Sequence, residues 1–125
     1  MNAIISSEPE VAELYDEKEV FGEIAEITSN KLGAEHANFV KVTLWAPDIL
    51  HHHNEAEETY ICLEGEGEII LGDEIHEFIP GVRVIISPGT PHAARPKDLK
   101  VSFWCISSPP FNPDDVHNHK CGRNW

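Results

Sequence analysis

Gly67-Glu68-Ile69-Ile70-Leu71-Gly72-Asp73-Glu74-Ile75-His76-Glu77-Phe78-Ile79 holds two short apolar runs on either side of a Gly-Asp pair. Glycine accepts the positive φ that the first central position of a two-residue type II′ turn requires, so the stretch predicts a hairpin with Gly72-Asp73 at its tip. Outward from it the same grammar repeats. Phe39–Trp45 alternates, with Val40, Val42 and Leu44 on one side and Lys41, Thr43 and Trp45 on the other. Thr59–Leu63, Val82–Ile86 and Val101–Ile106 are further short runs bounded by Gly, Pro or Asp. Runs at a spacing of roughly eight to twelve residues, with no helical pattern between them, predict an all-β antiparallel sandwich or barrel. One helical pattern stands apart, near Pro9–Lys18: Ser7 is its cap, Pro9 lies in its first turn, and Val11, Leu14 and Tyr15 share a face.

Composition narrows the partners. The chain has 125 residues, of which 22 are Asp or Glu and 9 are Lys or Arg, for a formal charge of −13. Such a surface lacks the clustered cations that a phosphate backbone needs and is repelled by anionic lipid, so neither nucleic acid nor membrane is expected as a partner. Eight of the carboxylates fall between Glu8 and Glu26 with only Lys18 against them, a solvated acidic face. Residues 1–10 show no basic and then apolar leader pattern. The charge-free stretch Val101–Pro113 is too short and too broken by Pro and Ser to span a bilayer. Three cysteines, Cys62, Cys105 and Cys121, are too few for a disulfide framework, and a reducing cytoplasm is the expected location. The length suits a single domain over residues 1–125, with a barrel core at about 38–110 and a Pro- and polar-rich tail at 107–125 packed on its outside.

Chemistry concentrates in His51-His52-His53-Asn54-Glu55-Ala56-Glu57-Glu58. In a strand, alternation puts His51 and His53 on one face and His52 on the other. A tight turn at Asn54–Ala56 would bring Glu58 back toward the two imidazoles, and imidazole with carboxylate suits Fe, Mn, Ni, Co or Zn as a divalent ion. Further along, Gly81-Val82-Arg83-Val84-Ile85-Ile86-Ser87-Pro88-Gly89-Thr90-Pro91-His92 gives a turn, a short buried run, a second Gly turn and a histidine.

With these two stretches in order the sequence resembles the cupin superfamily, over about residues 38–110. The family's first motif, Gly-x5-His-x-His-x3–4-Glu-x6-Gly, is matched by His51, His53, Glu58 and Gly65. Its second, Gly-x5-Pro-x-Gly-x2-His-x3-Asn, is matched by Gly81, Gly89 and His92. The chain departs at Trp45, Ser87 and Pro96, where the motifs carry Gly, Pro and Asn, and none of the three is a ligand position. The resemblance implies a double-stranded β-helix, or jelly roll, closed around one divalent metal per chain held by His51, His53, Glu58 and His92. Two of six octahedral positions would remain open for a small-molecule substrate, water or dioxygen.

The resemblance also implies an enzyme. Fe(II)-type dioxygenase chemistry is the favoured expectation, ahead of a metal-dependent isomerase, decarboxylase or cyclase. A phosphosugar substrate is less attractive, because the barrel region offers few Lys or Arg to clamp a phosphate. The rivals are a non-catalytic small-ligand-binding domain and a metal that only staples the barrel. Tyr60, Cys62 and Arg95 are pocket candidates, the first two sharing the Glu58 face by parity. Cys105 and Phe103 read as core, and His52 as structural or exposed. His36 and His76 have no partner at metal spacing, and His117, His119 and Cys121 form a second possible ligand trio. Cupins commonly pair through sheet edges, and a homodimer with Val20–Thr28 contributing is expected.

Overall fold

The computed structural model describes residues 3–5, 7–29 and 32–125. Among these residues nine strands form, β1 (Glu10–Tyr15), β2 (Val20–Thr28), β3 (Asn38–Leu44), β4 (His51–His52), β5 (Glu57–Leu71), β6 (Glu74–Phe78), β7 (Arg83–Ile86), β8 (His92–Ser108) and β9 (His117–Asn118). A short 3-10 turn at Pro113–Asp115 is the one helical piece among the described residues. Among the described residues no helix is long and apolar enough to cross a membrane.

Two long strands, β5 and β8, organise the rest by belonging to two layers. Their first contact zone pairs Glu57–Gly65 with Val101–Ser108, and there β3 lies on the far edge of β8 and β7 on the far edge of β5. That layer continues through β2 to β1. Their second zone pairs Gly67–Leu71 with His92–Pro96, flanked by β6 on one side and by β4 and β9 on the other. The core between the layers includes Val40, Val42, Leu44, Tyr60, Ile69, Phe78, Ala94, Val101 and Phe103. The alternation expected in β3 holds, with Val40, Val42 and Leu44 buried and Lys41 and Thr43 half-buried on the other face.

The passage of β5 from one layer to the other corrects one expectation. Thr59–Leu63 and Gly67–Leu71 are not two separate strands but one, whose register shifts between Cys62 and Gly67. The glycines serve close approach. A Cβ on Gly65 would collide with the Lys100 carbonyl oxygen, and one on Gly67 would lie 2.6 Å from that of Arg95. The Gly72-Asp73 turn is as expected: Gly72 has φ 66°, Asp73 stays at negative φ, and Leu71 pairs with Glu74.

The Pro9–Lys18 helix does not form. The stretch is β1, paired antiparallel to β2 from Glu10↔Glu26 to Leu14↔Gly22. An isolated helix shorter than roughly 12–15 residues is marginal in water, and Val11 and Tyr15 are 61% and 71% exposed, so no buried face supports one. Pairing satisfies the same backbone groups while Leu14 still packs on the core.

The tail is not simply laid on the outside. The Asp115 carboxylate accepts hydrogen bonds from the backbone N–H of Asn54 (2.9 Å) and Glu55 (3.1 Å), fixing the turn that follows β4. Arg123 donates to Asp16, Glu19 and the Pro47 carbonyl, and the Trp125 indole donates to the Asp48 carbonyl. The final residues therefore clamp the segment that leads into His51.

Candidate metal centre

The two zones of β5–β8 pairing and the short β4 converge on four side chains. His51 lies opposite His92 in the β4–β8 register, His53 follows β4 directly, and Glu58 is the second residue of β5. One ligand atom from each of His51, His53, Glu58 and His92 can be chosen so that all lie within 4.8 Å of one another. Among the described residues this is the only such His/Cys/Asp/Glu group. Glu58, His53 and His92 are buried and His51 is half-buried.

The hydrogen bonds behind the rings decide what the front presents. His51 Nδ1 lies 2.7 Å from the Ile49 carbonyl oxygen, His53 Nδ1 3.1 Å from that of Asp115, and His92 Nδ1 2.9 Å from that of Thr90. A carbonyl only accepts, so each Nδ1 carries the proton and each neutral ring presents a bare Nε2 lone pair to the cluster. Two of these lone pairs face the same carboxylate: Nε2 of His92 and of His53 lie 2.9 and 3.1 Å from Glu58 Oε1. His53 Nε2 is fully buried and has no hydrogen-bond partner. Acceptors facing acceptors at this range need a positive charge between them, either protons on the rings or a cation. A set of three imidazole nitrogens and one carboxylate fits a borderline divalent transition metal.

Electrostatics follow the same geometry. Burial, reinforced by the neighbouring His92, lowers the His51 pKa to about 4, so this ring is neutral and ligand-ready at pH 7. Burial also works against protonating His53, but the Glu58 carboxylate outweighs it and the pKa is raised. Burial disfavours the charged form of Glu58, yet the His53 and His92 rings beside it hold its pKa well below the usual carboxylate range.

A cavity of about 400 Å³ opens over the cluster, lined largely by apolar side chains such as Phe21, Ile24, Val40, Val42 and Phe103. Tyr60 is among the lining residues, stacked on Phe103 and edge-on to His92 at 5.6 Å between ring centroids. Its hydroxyl has no hydrogen-bond partner among the described residues, and burial raises its pKa well above the usual phenol value.

The other two pocket candidates lie elsewhere. Cys62 shares the Glu58 face, but it sits farther along β5 in the core, with its thiol 3.7 Å from the Phe78 carbonyl oxygen. Arg95 follows His92 by three residues, which turns it to the opposite face of β8. There it pairs with Glu68 at 3.2 Å and stacks over Trp125.

Cys105, read from sequence as core, is buried in the core cluster and also borders the site: it lines the cavity, and its thiol donates to Glu58 Oε2 at 3.3 Å. All three cysteines are free. Asp48 and Asp115 carry no sequence signal, because Asp115 acts on residues about 60 positions away and Asp48 matters only through the cavity it lines. The tail trio does not assemble. His119 bonds to His52, His117 stacks on His52, and the exposed Cys121 thiol turns to the Gly122 carbonyl.

A family model for the cupin domain matches residues 42–105. L-ectoine synthase of Aliivibrio fischeri is 34% identical over 71 residues, covering 55% of this chain and 55% of that protein. The chain thus spans about half to three fifths of the length of the curated relatives it matches. Among solved structures, a protein from Planctomyces limnophilus superposes with a TM-score of 0.75 at 22% identity, over 94% of this chain and 96% of that one. Pac13, described as a nucleoside dehydratase, gives 0.72 at 15% identity, over 95% and 91%. Streptomyces Pac13 variants of the same fold hold uridine.

Proposed function

The chain belongs to the cupin family, and from that premise we propose that it is a mononuclear metalloenzyme acting on a small organic molecule, with His51, His53, Glu58 and His92 as the ligands of one divalent ion. The observation that carries this is the orphaned His53 Nε2, aimed with its two partner rings at one carboxylate beneath an apolar cavity. Bound there, the ion would act as a Lewis acid on a substrate oxygen. The apolar walls lower the local dielectric and strengthen polar contacts made against them. Cys105 holds one oxygen of Glu58, which leaves the other for the ligand set. The unpartnered Tyr60 hydroxyl, kept protonated by burial, is placed to donate a hydrogen bond or a proton to a substrate oxygen.

These proton-holding groups around a Lewis-acid site suit elimination, cyclisation or isomerisation. The relatives named above are a synthase and a dehydratase. Both points support non-redox chemistry over the Fe(II) dioxygenase reading that the resemblance favours. A site of this kind must keep an open coordination position. Water-proton relaxation of the Mn²⁺-loaded protein should reveal at least one rapidly exchanging water, and a closed site with none would reduce the metal to a staple.

A homodimer is part of the same reading. Among the described residues β2 is paired on both edges, so its layer ends on that side at β1, where Val11 and Tyr15 are exposed. Light scattering at micromolar concentration should give twice the 14.0 kDa of the chain, and a monomer mass would contradict the assignment.

A further inference from the structure

Asn38 is an amide in an otherwise apolar row. Alternation along β3 turns it inward with Val40, Val42 and Leu44, it is 4% exposed, and it lines the cavity beside Val40 and Val42. Register places it relative to the metal centre. Asn38 pairs with Ser107 of β8, and Ser107 pairs with Glu58 of β5. Residues directly opposite share a face of the sheet, so Asn38 and Glu58 stand in one row, two strand spacings or roughly 10 Å apart. Between them the Ser107 hydroxyl is already spent, donating to the Pro109 carbonyl at 3.0 Å.

The two ends of the Asn38 amide differ. Oδ1 accepts from the Phe111 N–H at 2.8 Å. An N–H only donates, so this bond settles which end is oxygen and commits the NH2 group to the other side. Nδ2 has no hydrogen-bond partner among the described residues. It is not sealed in either: the one fully enclosed side-chain atom without a partner is His53 Nε2. Nδ2 therefore has open space in front of it, and the space that Asn38 borders is the cavity. Phe111, anchored by Oδ1, carries the same wall round to the His53 ring, 6.5 Å away between centroids.

An amide donor set among apolar walls is costly to leave unmade. Hydrocarbon filling this end of the cavity would strip it of any partner, whereas an acceptor would complete it. A carboxylate there would bring a buried charge without a counter-charge, because no Lys or Arg lines the cavity. A neutral carbonyl-type oxygen takes the donor without that cost.

We propose that Asn38 determines specificity at the end of the cavity remote from the metal centre, its Nδ2 donating to a neutral carbonyl-type oxygen on the bound molecule. The proposal rests on the metal-centre reading only for the end of that molecule held beside Glu58.

Calorimetric titration of Zn²⁺-loaded protein, with one ion per chain verified by elemental analysis, tests it. The probes are 4-oxopentanoate, 5-oxohexanoate and 6-oxoheptanoate, each against the plain acid of the same length. Apolar walls alone favour the plain acid. At one length the keto acid should nevertheless bind about tenfold more tightly. Asn38→Leu, close in volume and without polar atoms, should abolish that preference and leave metal content unchanged. In the wild-type chain the Asn38 side-chain NH2 signals in a ¹⁵N–¹H spectrum should move on adding the preferred keto acid and stay with the plain acid, a readout independent of how the variant folds. No keto preference at any length, a preference that survives Asn38→Leu, or an unmoved Asn38 signal would overturn the proposal. Failure to bind Zn²⁺ would instead defeat the metal-centre reading. The metal-free protein then decides the amide alone: 2-hexanone should move the same NH2 signals, and no movement would overturn the assignment.

Discussion

His51 and His53 differ from the residue between them in which way the strand turns them and in what holds their Nδ1 atoms. On the inner face both rings give Nδ1–H to backbone carbonyls and keep Nε2 free, in company with His92 and Glu58. On the outer face His52 sits among as many imidazoles, yet its Nδ1 lies 2.9 Å from His119 Nε2 and its ring stacks on His117, whose Nε2 is in turn 3.1 Å from Asn54 Nδ2. There the nitrogens satisfy one another. The same residue type, three rings in each group, gives a set able to hold a metal on one side and a hydrogen-bonded patch on the other. Burial, backbone acceptors and a carboxylate at the centre make the difference, not histidine content.

The largest expected effect of that difference is on stability. The inner side chains come from β4 and its trailing end, β5 and β8, so an ion bound by them would tie together segments distant in sequence. At a thousandfold excess over Kd it stabilises the fold by about 4 kcal/mol. At pH 7.5 the metal-loaded protein should melt well above the chelated one, and the gap should narrow by pH 5.5.

Protons drive that narrowing in the loaded form, because they compete with the ion for three imidazoles. In the chelated form two terms oppose each other. His51, lowered to about 4, costs stability as pH falls below its unfolded value of 6.5. His53, raised, contributes stability that is present below 6.5 and lost as pH rises through its folded value. Glu58, held low, contributes stability present above its unfolded 4.5, so its loss falls below this window. Thermal scans at both pH values, with and without chelator, check the pattern, and equal melting temperatures at pH 7.5 would remove the ion from the account.

A smaller effect separates the two faces through Glu58. Cys105→Ala removes the donor to Oε2 and should weaken metal affinity by about 10-fold, the lower end of what lost outer hydrogen bonds to ligands cost. Cys105→Ser keeps a donor and should recover most of it. Competition with a chromogenic chelator reads both variants, and a Ser variant no better than Ala would show that the thiol only packs.

The four side chains of the cluster were legible because parity and spacing act locally: His51, His53 and Glu58 lie within eight residues, and His92 follows its own glycine pattern. The hairpin at Gly72-Asp73 was legible for the same reason. The fusion of β5 was not, since a glycine that admits a carbonyl of β8 looks in sequence like one that makes a turn. Val11, Leu14 and Tyr15 fit a helical face, and only the presence of β2 alongside decides for a strand. Cys105 read as core because its partner, Glu58, lies 47 residues away. Asp48 and Asp115 gain their roles through the tail, which brings Trp125 to one and Asn54 to the other across about 60 to 77 positions.

The contrast between inner and outer histidines is tested most directly by the metal content of two single variants, measured by elemental analysis after identical purification and loading. His92→Ala should lose most of its metal, whereas His52→Ala should retain close to one ion per chain. Equal loss in the two, or full occupancy in both, would contradict the assignment of the inner face as the metal centre.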